Sequence, residues 1–238
     1  MIPKRKVITI DGPSSSGKST LADLLAKKLS FIHLNTGAIY RTVALIAIQN
    51  RCDFTDEDKL AALIRASSII VEKNEQGEAV ISLNGKVLGE ELRTVEVSEA
   101  TSKVSVLAKV RKQLVSIQHE AFAGFNLVAE GRDMGTVIFP DADLKFYIQV
   151  DAETRIKRRL IQMEAQRIKA GKPLSQNELN LLKEQMKIEI LERDTRDSER
   201  AIAPLIPAKE AIIIDNSSAT LTESLENMYA HATKRRLI

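Results

Sequence analysis

The chain carries a glycine-rich segment whose residue types suit phosphate binding. Residues 12–19 read GPSSSGKS and fit the pattern G-x-x-x-x-G-K-[ST]. In such a loop the backbone N–H groups surround phosphate oxygens, Lys18 reaches the outer phosphates and the Ser19 hydroxyl can ligate Mg²⁺. An apolar run at 7–10 precedes the loop, and an amphipathic stretch at 20–29 follows it. This context predicts a nucleoside triphosphate site, because a helix N-terminus adds its positive dipole end to the backbone donors.

The elements that must position this loop indicate an α/β fold with a parallel sheet. Short apolar runs separated by helical patterns are typical of parallel strands buried on both faces. They occur at 7–10, 127–129, 144–150 and 212–214, with a weaker run at 31–34. Ligands of such sheets bind beyond the carboxyl ends of the strands. Polar segments stand at three of these ends: the loop after residue 10, NTG after residue 34 and EGRD after residue 129.

Two segments interrupt this alternation. Residues 68–89 contain three short apolar runs with turn residues at 74–77 and an Asn-Gly pair at 84–85, which predicts a small antiparallel sheet. Residues 152–201 are highly charged and show a helical pattern that is broken at 171–173. A helical hairpin with so little apolar surface should project from the core and move.

Composition and charge limit the kinds of binding partner and the cellular compartment that the sequence predicts. The 238-residue chain is 44% hydrophobic and 28% charged, and its net charge of +3 gives no reason to expect a nucleic-acid partner. Its single cysteine, Cys52, excludes an intramolecular disulfide and indicates a reducing compartment. No apolar run approaches the roughly 20 residues that cross a bilayer, and the basic N-terminus leads into the first strand rather than into a signal peptide. We therefore expect a cytoplasmic monomer without membrane contact.

The phosphate-binding loop alone is compatible with several classes of protein. GTPases usually carry Asn-Lys-x-Asp for guanine, and this tetrad does not occur in the sequence. Motors and helicases need further coupling elements and usually longer chains. Arginines, in contrast, are concentrated in the charged segment, at Arg155, Arg158, Arg159, Arg193, Arg196 and Arg200. Kinases with a phosphorylated acceptor need such cations because two polyanions must be brought together; for each arginine a solvated helix face is the alternative.

Three further segments resemble the signature blocks of the bacterial cytidylate kinase family. They are NTGAIYR at 35–41, EGRDMGT at 130–136 and ERDTRDSER at 192–200, in the family's order and with similar spacing. The resemblance implies a P-loop three-layer α/β fold with a parallel five-stranded sheet, an inserted small antiparallel subdomain that binds the monophosphate, and a helical lid. The implied divisions are a core of residues 1–35, 103–151 and 202–238, a monophosphate-binding region of 36–102 and a lid of 152–201.

The resemblance also implies the reaction, which is an ATP- and Mg²⁺-dependent phosphorylation of CMP and dCMP. Lys18, Arg132 and Arg158 are then the catalytic cations. ATP is expected on Gly12, Pro13, Ser14, Ser15, Ser16, Gly17, Lys18, Ser19 and Thr20. The acceptor nucleotide is expected on Thr36, Arg41, Ser102, Arg111, Arg132, Asp133, Arg193, Asp197 and Arg200. Mg²⁺ is expected on Ser19 directly and on Glu130 through a water molecule.

Within this set, Asp133 and Arg111 are the expected readers of the base. Cytosine presents an amino donor beside two acceptors, which a carboxylate and a guanidinium complement; a structural ion pair is the alternative. On the lid, Arg193, Asp197 and Arg200 fall on one helix face, and the spacing equally allows an ion pair between the first two. Spacing alone does not separate the lid arginines that contact the donor from those that contact the acceptor.

The chain departs from the family pattern in three places. Ser19 stands where many nucleoside monophosphate kinases have glycine, Glu130 stands where aspartate is frequent, and residues 163–180 are longer than in compact members. The histidines lie outside the blocks and are assigned no catalytic role: His33, His119 and His231. A UMP-directed kinase of the same fold and a P-loop nucleotide switch are the alternative functions.

Overall fold

The computed structural model describes residues 5–75, 78–169, 171–172 and 174–237. Gln76, Gly77 and Pro173, which belong to the predicted turn and helix break, lie outside the described residues. The strands are Val7–Asp11 (β1), Ile32–Asn35 (β2), Ile69–Lys73 (β3), Ala79–Leu83 (β4), Lys86–Val87 (β5), Leu127–Gly131 (β6), Leu144–Gln149 (β7) and Ile212–Asp215 (β8). The α-helices are Lys18–Leu29 (α1), Thr36–Gln49 (α2), Glu57–Ala66 (α3), Val95–Val104 (α4), Ala108–Glu120 (α5), Ala152–Lys169 (α6), Gln176–Glu199 (α7) and Leu221–Lys234 (α8).

The main sheet has five parallel strands in the order β2-β6-β1-β7-β8, so β1, which leads into the glycine-rich loop, is the middle strand. Val7 pairs in register with Leu127 of β6, and Ile8 pairs with Leu144 of β7. Every residue of β1 and β6 is buried, as continuous apolar runs require. The predicted parallel sheet is therefore confirmed, including the weaker run at 31–34.

Helices cover both faces of this sheet, and successive residues of β1 face different layers. Ile8 belongs to an apolar cluster with Leu21 of α1 and Met228 of α8. Val7 belongs instead to a cluster that α2, α3, α4 and α5 build on the other face. The result is the three-layer α/β core that the sequence predicts. Within the described ranges, no helix is long and apolar enough to cross a membrane.

The small antiparallel sheet predicted within 68–89 is formed by β3, β4 and β5. Ile69 pairs with Leu83 across β3 and β4. The turn between β4 and β5 is Asn84-Gly85, whose φ angles of 50° and 82° are the left-handed pair that a two-residue hairpin turn requires. Ile81 and Leu83 join the apolar cluster of α2, which anchors this sheet to the core.

The charged segment forms the predicted helical hairpin, in which α6 and α7 pack mainly on each other. Their shared buried cluster consists only of Ile156, Met186 and Ile190 within the described part of the hairpin. A capping box begins α7, since Ser175 and Glu178 each accept the other's backbone N–H. So small an apolar cluster stabilises the hairpin weakly, because burial of apolar area supplies most of the stability of a packed helix.

Candidate active site

The loop between β1 and α1 has the backbone shape that its motif predicts. The loop spans residues 12–17, and Gly17 adopts the left-handed conformation with φ of 87° immediately before α1 begins at Lys18. Ser19 and Thr20 are exposed on the first turn of this helix. Glycine adopts this φ without steric cost, so the chain can turn sharply from the strand into the helix and direct the first N–H groups at the loop.

The interior of the loop contains polar groups that suit an anion. Lys18 is buried, and its Nζ donates a hydrogen bond over 3.0 Å to the carbonyl of Pro13 on the other side of the loop. The hydroxyls of Ser14 and Ser16 are buried and have no hydrogen-bond partner among the described residues. Buried hydroxyls without a partner at a helix N-terminus favour a ligand with several acceptor oxygens.

Asn216, which the sequence analysis did not single out, ties the loop to the carboxyl end of β8. Its side-chain amide donates to the carbonyl of Ser16 over 2.9 Å, and its side-chain oxygen accepts from Ser224 of α8 over 3.0 Å. Arg158 of α6 donates to the backbone carbonyl of Asn216 over 2.7 Å. Asn216 directly follows an apolar strand, so the rule that ligand sites lie at the carboxyl ends of strands would have found it.

Gly17 provides a test of this loop geometry. A Cβ at Gly17 would lie 3.0 Å from the side-chain nitrogen of Asn216, whereas a Cβ at Gly124, which has the same φ of 87°, would have no described atom within 4 Å. Gly124→Ala is therefore a matched control for backbone strain alone. Both substitutions should lower the free energy of unfolding by about 1–2 kcal/mol in denaturant melts, but only Gly17→Ala should raise the KM for the nucleoside triphosphate that the motif predicts, by on the order of tenfold. Equal KM values in the two variants would contradict this geometry.

A cavity of about 110 Å³ beside the loop brings together most of the residues predicted for the acceptor nucleotide. Its lining includes Lys18, Ser19, Thr36, Arg41, Arg111, Glu130, Arg132, Asp133, Arg193, Asp197 and Arg200. Ser102 is not part of this lining within the described residues, and its neighbours Thr101 and Ser105 occupy it instead. Thr36 has a structural contact as well, since its hydroxyl donates over 2.7 Å to the carbonyl of Glu130 and thereby joins α2 to β6.

This cavity carries a surplus of buried positive charge. Burial and the neighbouring Arg132 lower the pKa of Lys18 to about 7, and the same two causes lower the pKa of Arg193 to about 10. Burial also lowers the pKa of Arg41. Arg193 Nε and Arg200 Nη2 are buried without a hydrogen-bond partner in the part of the chain described. A polyanion placed among such crowded cations would stabilise their charged forms.

Arg111 and Asp133 form a buried ion pair at the edge of the cavity. Arg111 Nη2 donates to Asp133 Oδ2, and Arg200 Nη2 lies 3.8 Å from Asp133 Oδ1. The side chains of the pair are only 6% and 3% exposed. The pair and Tyr40 also line an adjoining cavity of about 260 Å³, whose wall includes apolar side chains such as Val137. Polar groups set beside an apolar wall are suited to the recognition of a flat heteroaromatic ring.

A turn of π-helix over Met134–Ile138 follows Asp133 and fixes its position. Asp11, at the end of β1, accepts the backbone N–H groups of Met134 over 2.9 Å and Gly135 over 2.8 Å. Burial raises the pKa of Asp11 to about 6, although these two N–H groups act in the opposite direction. The sequence analysis did not predict this contact, because a π-turn has no sequence signal. The position of Asp11 directly after an apolar run could have indicated that its side chain lies at the site.

The two helices of the hairpin direct their cations to different places. On α6, Arg155 and Arg158 approach the glycine-rich loop, with Nη1 atoms 3.4 and 3.5 Å from loop carbonyls. On α7, Arg193 lines the cavity, and so does Arg200 just beyond the helix end. The arginines of the two helices therefore lie in different parts of the site, those of α6 at the loop and those of α7 and its end at the cavity.

Asp197 joins the hairpin to the central sheet. Its carboxylate accepts a hydrogen bond over 3.0 Å from Nε of Arg132, which follows β6. Although burial raises the pKa of Asp197, Arg132 and Arg193 hold it below its usual range. The ion pair within the helix that the spacing allows, between Arg193 and Asp197, does not form in the described structure, because Arg132 reaches the carboxylate from the sheet. A second ion pair, Arg155 with Asp194, connects α6 to α7.

The oxygen atoms of Ser19 and Glu130 fit a divalent cation. Ser19 Oγ donates over 2.8 Å to Glu130 Oε2, so the hydrogen of the hydroxyl is engaged and its lone pairs are left for a ligand. Although burial raises the pKa of Glu130, the neighbouring His33 and Ser19 and the charge of Lys18 hold it below its usual range. Hydroxyl and ionised carboxylate oxygens beside a phosphate site are the ligands that Mg²⁺ prefers.

A loop of this kind on the middle strand of a parallel sheet, with a cation-rich cavity beside it, defines the P-loop kinase class of proteins. A model of the cytidylate kinase family matches residues 8–234, and the chain belongs to that family. The resemblance found in the three sequence blocks is therefore confirmed.

Individual relatives support the same assignment over nearly the whole chain. The cytidylate kinase of Pasteurella multocida is 44% identical, with 91% of this chain and 90% of the relative covered. That of Haemophilus ducreyi is 39% identical, with 96% of each chain covered. That of a Marinomonas species is 38% identical over the full length of both.

Proposed function

We propose that this protein transfers the γ-phosphate of ATP to CMP and dCMP, forming CDP and dCDP. The observation that carries the proposal is the cavity beside the loop, in which buried cations meet the Arg111–Asp133 pair. The cations suit the phosphate groups of two nucleotides, and the pair suits a pyrimidine base. Membership of the cytidylate kinase family supports the same substrates.

On the donor side, the triphosphate of ATP occupies the glycine-rich loop. The backbone N–H groups of 14–17 bind phosphate oxygens, and Lys18 binds the γ-phosphate once that anion replaces its contact with the Pro13 carbonyl. Arg155 and Arg158 approach from α6 and stabilise the negative charge that moves during transfer. Mg²⁺, held by Ser19 and through water by Glu130, would neutralise phosphate charge.

On the acceptor side, the cavity holds CMP. Arg41, Arg132 and Arg193 bind its phosphate, since guanidinium groups pair with phosphate oxygens. Asp133 accepts a hydrogen bond from the N4 amino group of cytosine, and Arg111 donates a hydrogen bond to the neighbouring ring acceptor, N3. No general base is needed, because the second pKa of a phosphate monoester is about 6 and the attacking oxygen is already ionised. Positioning and the exclusion of water then supply most of the catalysis.

The proposal is tested by measuring ADP release with CMP, dCMP, UMP, AMP, GMP and no acceptor. CMP and dCMP should give a kcat/KM at least about a hundredfold above that of the purine nucleotides, since a small pocket leaves polar groups unpaired against them. UMP should be poor because it presents N3–H and O4 where cytosine presents an acceptor and a donor. Comparable values for CMP and GMP would overturn the proposal. A preference for UMP would favour the alternative of a UMP kinase. Equal ADP release with and without an acceptor would favour the alternative of a nucleotide switch.

We further propose that residues 152–201 are a separate unit that moves relative to a core of 1–35, 103–151 and 202–238, on which residues 36–102 pack through α2, α3 and α4. The small buried cluster of the hairpin supports this division, since little apolar contact has to be broken when the hairpin moves. A bisubstrate analogue that joins ATP to CMP should slow amide hydrogen exchange in α6 and α7 by about tenfold or more. Helix α8 serves as the internal control and should not change. Complete protection of α6 and α7 in the free protein would contradict the prediction.

A further inference from the structure

His33 faces the carboxylate of Glu130 across neighbouring strands. His33 lies on β2, where the parallel register sets Asn35 opposite Glu130, and its Nε2 is 3.6 Å from Glu130 Oε1. Both atoms are buried, and neither has a hydrogen-bond partner among the described residues. A buried polar atom without a partner destabilises the folded protein, because it has lost its hydrogen bonds to water. Because N–H···O bonds are about 2.9–3.0 Å long, a shift of roughly 0.6 Å lets the two atoms satisfy each other.

The second oxygen of Glu130 already has a partner, the hydroxyl of Ser19 on α1. On its other side, His33 places Nδ1 4.0 Å from Oδ1 of Asp23, which is also on α1. The four side chains therefore form a series that begins and ends on α1, the helix that follows the phosphate-binding loop. In this series Glu130 is the only member that contacts both His33 and Ser19 in the described structure.

The length of Glu130 explains why it needs a second contact. Ser19 and Glu130 are 111 residues apart in the sequence, and the structure brings their side chains into contact. Glutamate has one more rotatable bond than aspartate, so holding its carboxylate in one orientation costs more side-chain entropy. A partner on each oxygen offsets this cost and fixes the orientation.

We propose that His33 is a positioning residue that holds Glu130 in the orientation in which Glu130 orders the Ser19 hydroxyl for Mg-ATP. The inference rests on the proposed function, in which Ser19 and Glu130 hold Mg²⁺. His33 contacts neither nucleotide in this arrangement. It acts only through Glu130, as residues that hydrogen-bond to a metal ligand commonly orient that ligand.

The affinity for ATP, measured by calorimetry with Mg²⁺ and again in EDTA, tests this role. His33→Gln keeps an N–H donor at a reach similar to Nε2, whereas His33→Asn keeps the polarity but is too short to reach Glu130. Mg²⁺ should increase the affinity for ATP about tenfold less in His33→Asn than in the wild type. This is the lower end of the effects seen when a residue that orients a metal ligand is replaced. The Kd for ATP in EDTA should not change. His33→Gln should stay within about threefold of the wild type, as should the control His119→Asn, whose exposed ring stacks on Phe139.

A double-mutant cycle separates this role from a structural one. In a Glu130→Ala background, His33→Asn should cause no further loss of the Mg²⁺-dependent gain, because the residue through which it acts is gone. The same tenfold loss in both backgrounds would overturn the inference, and so would a lower melting temperature of His33→Asn with an unchanged gain. A wild type that binds ATP with this gain but does not phosphorylate CMP would reject the proposed function and leave the role of His33 standing.

Discussion

Lys18→Ala should lower kcat by about a hundredfold or more, the range observed when one preorganised donor to a transition-state anion is removed. Lys18 is the cation of the glycine-rich loop, and its Nζ is held on the Pro13 carbonyl, 3.0 Å away, inside the loop. It therefore needs little reorganisation to reach a phosphate bound there. ADP release with saturating ATP and CMP measures the effect.

The same substitution should leave the fold intact. Burial and Arg132 lower the pKa of Lys18 to about 7, so the charged side chain is not a source of stability in the free protein, and thermal melts should show little change. Lys27→Ala is the matched control, because Lys27 is on the same helix, is exposed and pairs only with Asp23 among the described residues. Activity of Lys18→Ala within a few-fold of the wild type, with a normal melting curve, would exclude the loop as the ATP site.

Much of the fold was predictable because strands of a parallel sheet are bounded apolar runs. The runs at 7–10 and 127–129 became the two fully buried strands β1 and β6, and the weaker run at 31–34 became β2. The Asn84-Gly85 turn was predictable for a different reason, since few other residue pairs adopt two positive φ angles. In each case the signal is local, in a stretch of two to four residues.

The contacts that finish the site were not predictable, because each joins residues that are far apart in the sequence. Asp197 suits Arg193 by helix spacing, yet its hydrogen bond comes from Arg132, 65 residues earlier. His33 had no partner within its own segment, and only the register of β2 on β6 brings it to Glu130. Ser102 and Ser105 both carry a short hydroxyl side chain near the end of α4. Of the two, Ser105 lines the cavity and Ser102 does not.

The buried Arg111–Asp133 pair makes a sharper prediction about the base. Asp133→Asn keeps the shape of the side chain but replaces a carboxylate oxygen with an amide that donates hydrogen bonds. Removing a charge-assisted hydrogen bond costs about 1.5–3 kcal/mol, so kcat/KM for CMP should fall by about 10- to 150-fold. The variant should also melt at a lower temperature, because Arg111 and Arg200 lose the carboxylate that neutralises them in a buried site.

The ratio of kcat/KM for CMP to that for UMP decides whether Asp133 reads the base. In Asp133→Asn the new amide can donate to O4 of uracil, so activity with UMP should fall less than activity with CMP, and the ratio should drop by about tenfold. The KM for ATP should be unchanged. Asp141→Asn, which alters an exposed carboxylate after the same π-turn, should leave all of these values as in the wild type. If Asp133→Asn instead lowers the activities with CMP and UMP in equal proportion, Asp133 is a structural partner of Arg111 and the base is recognised elsewhere.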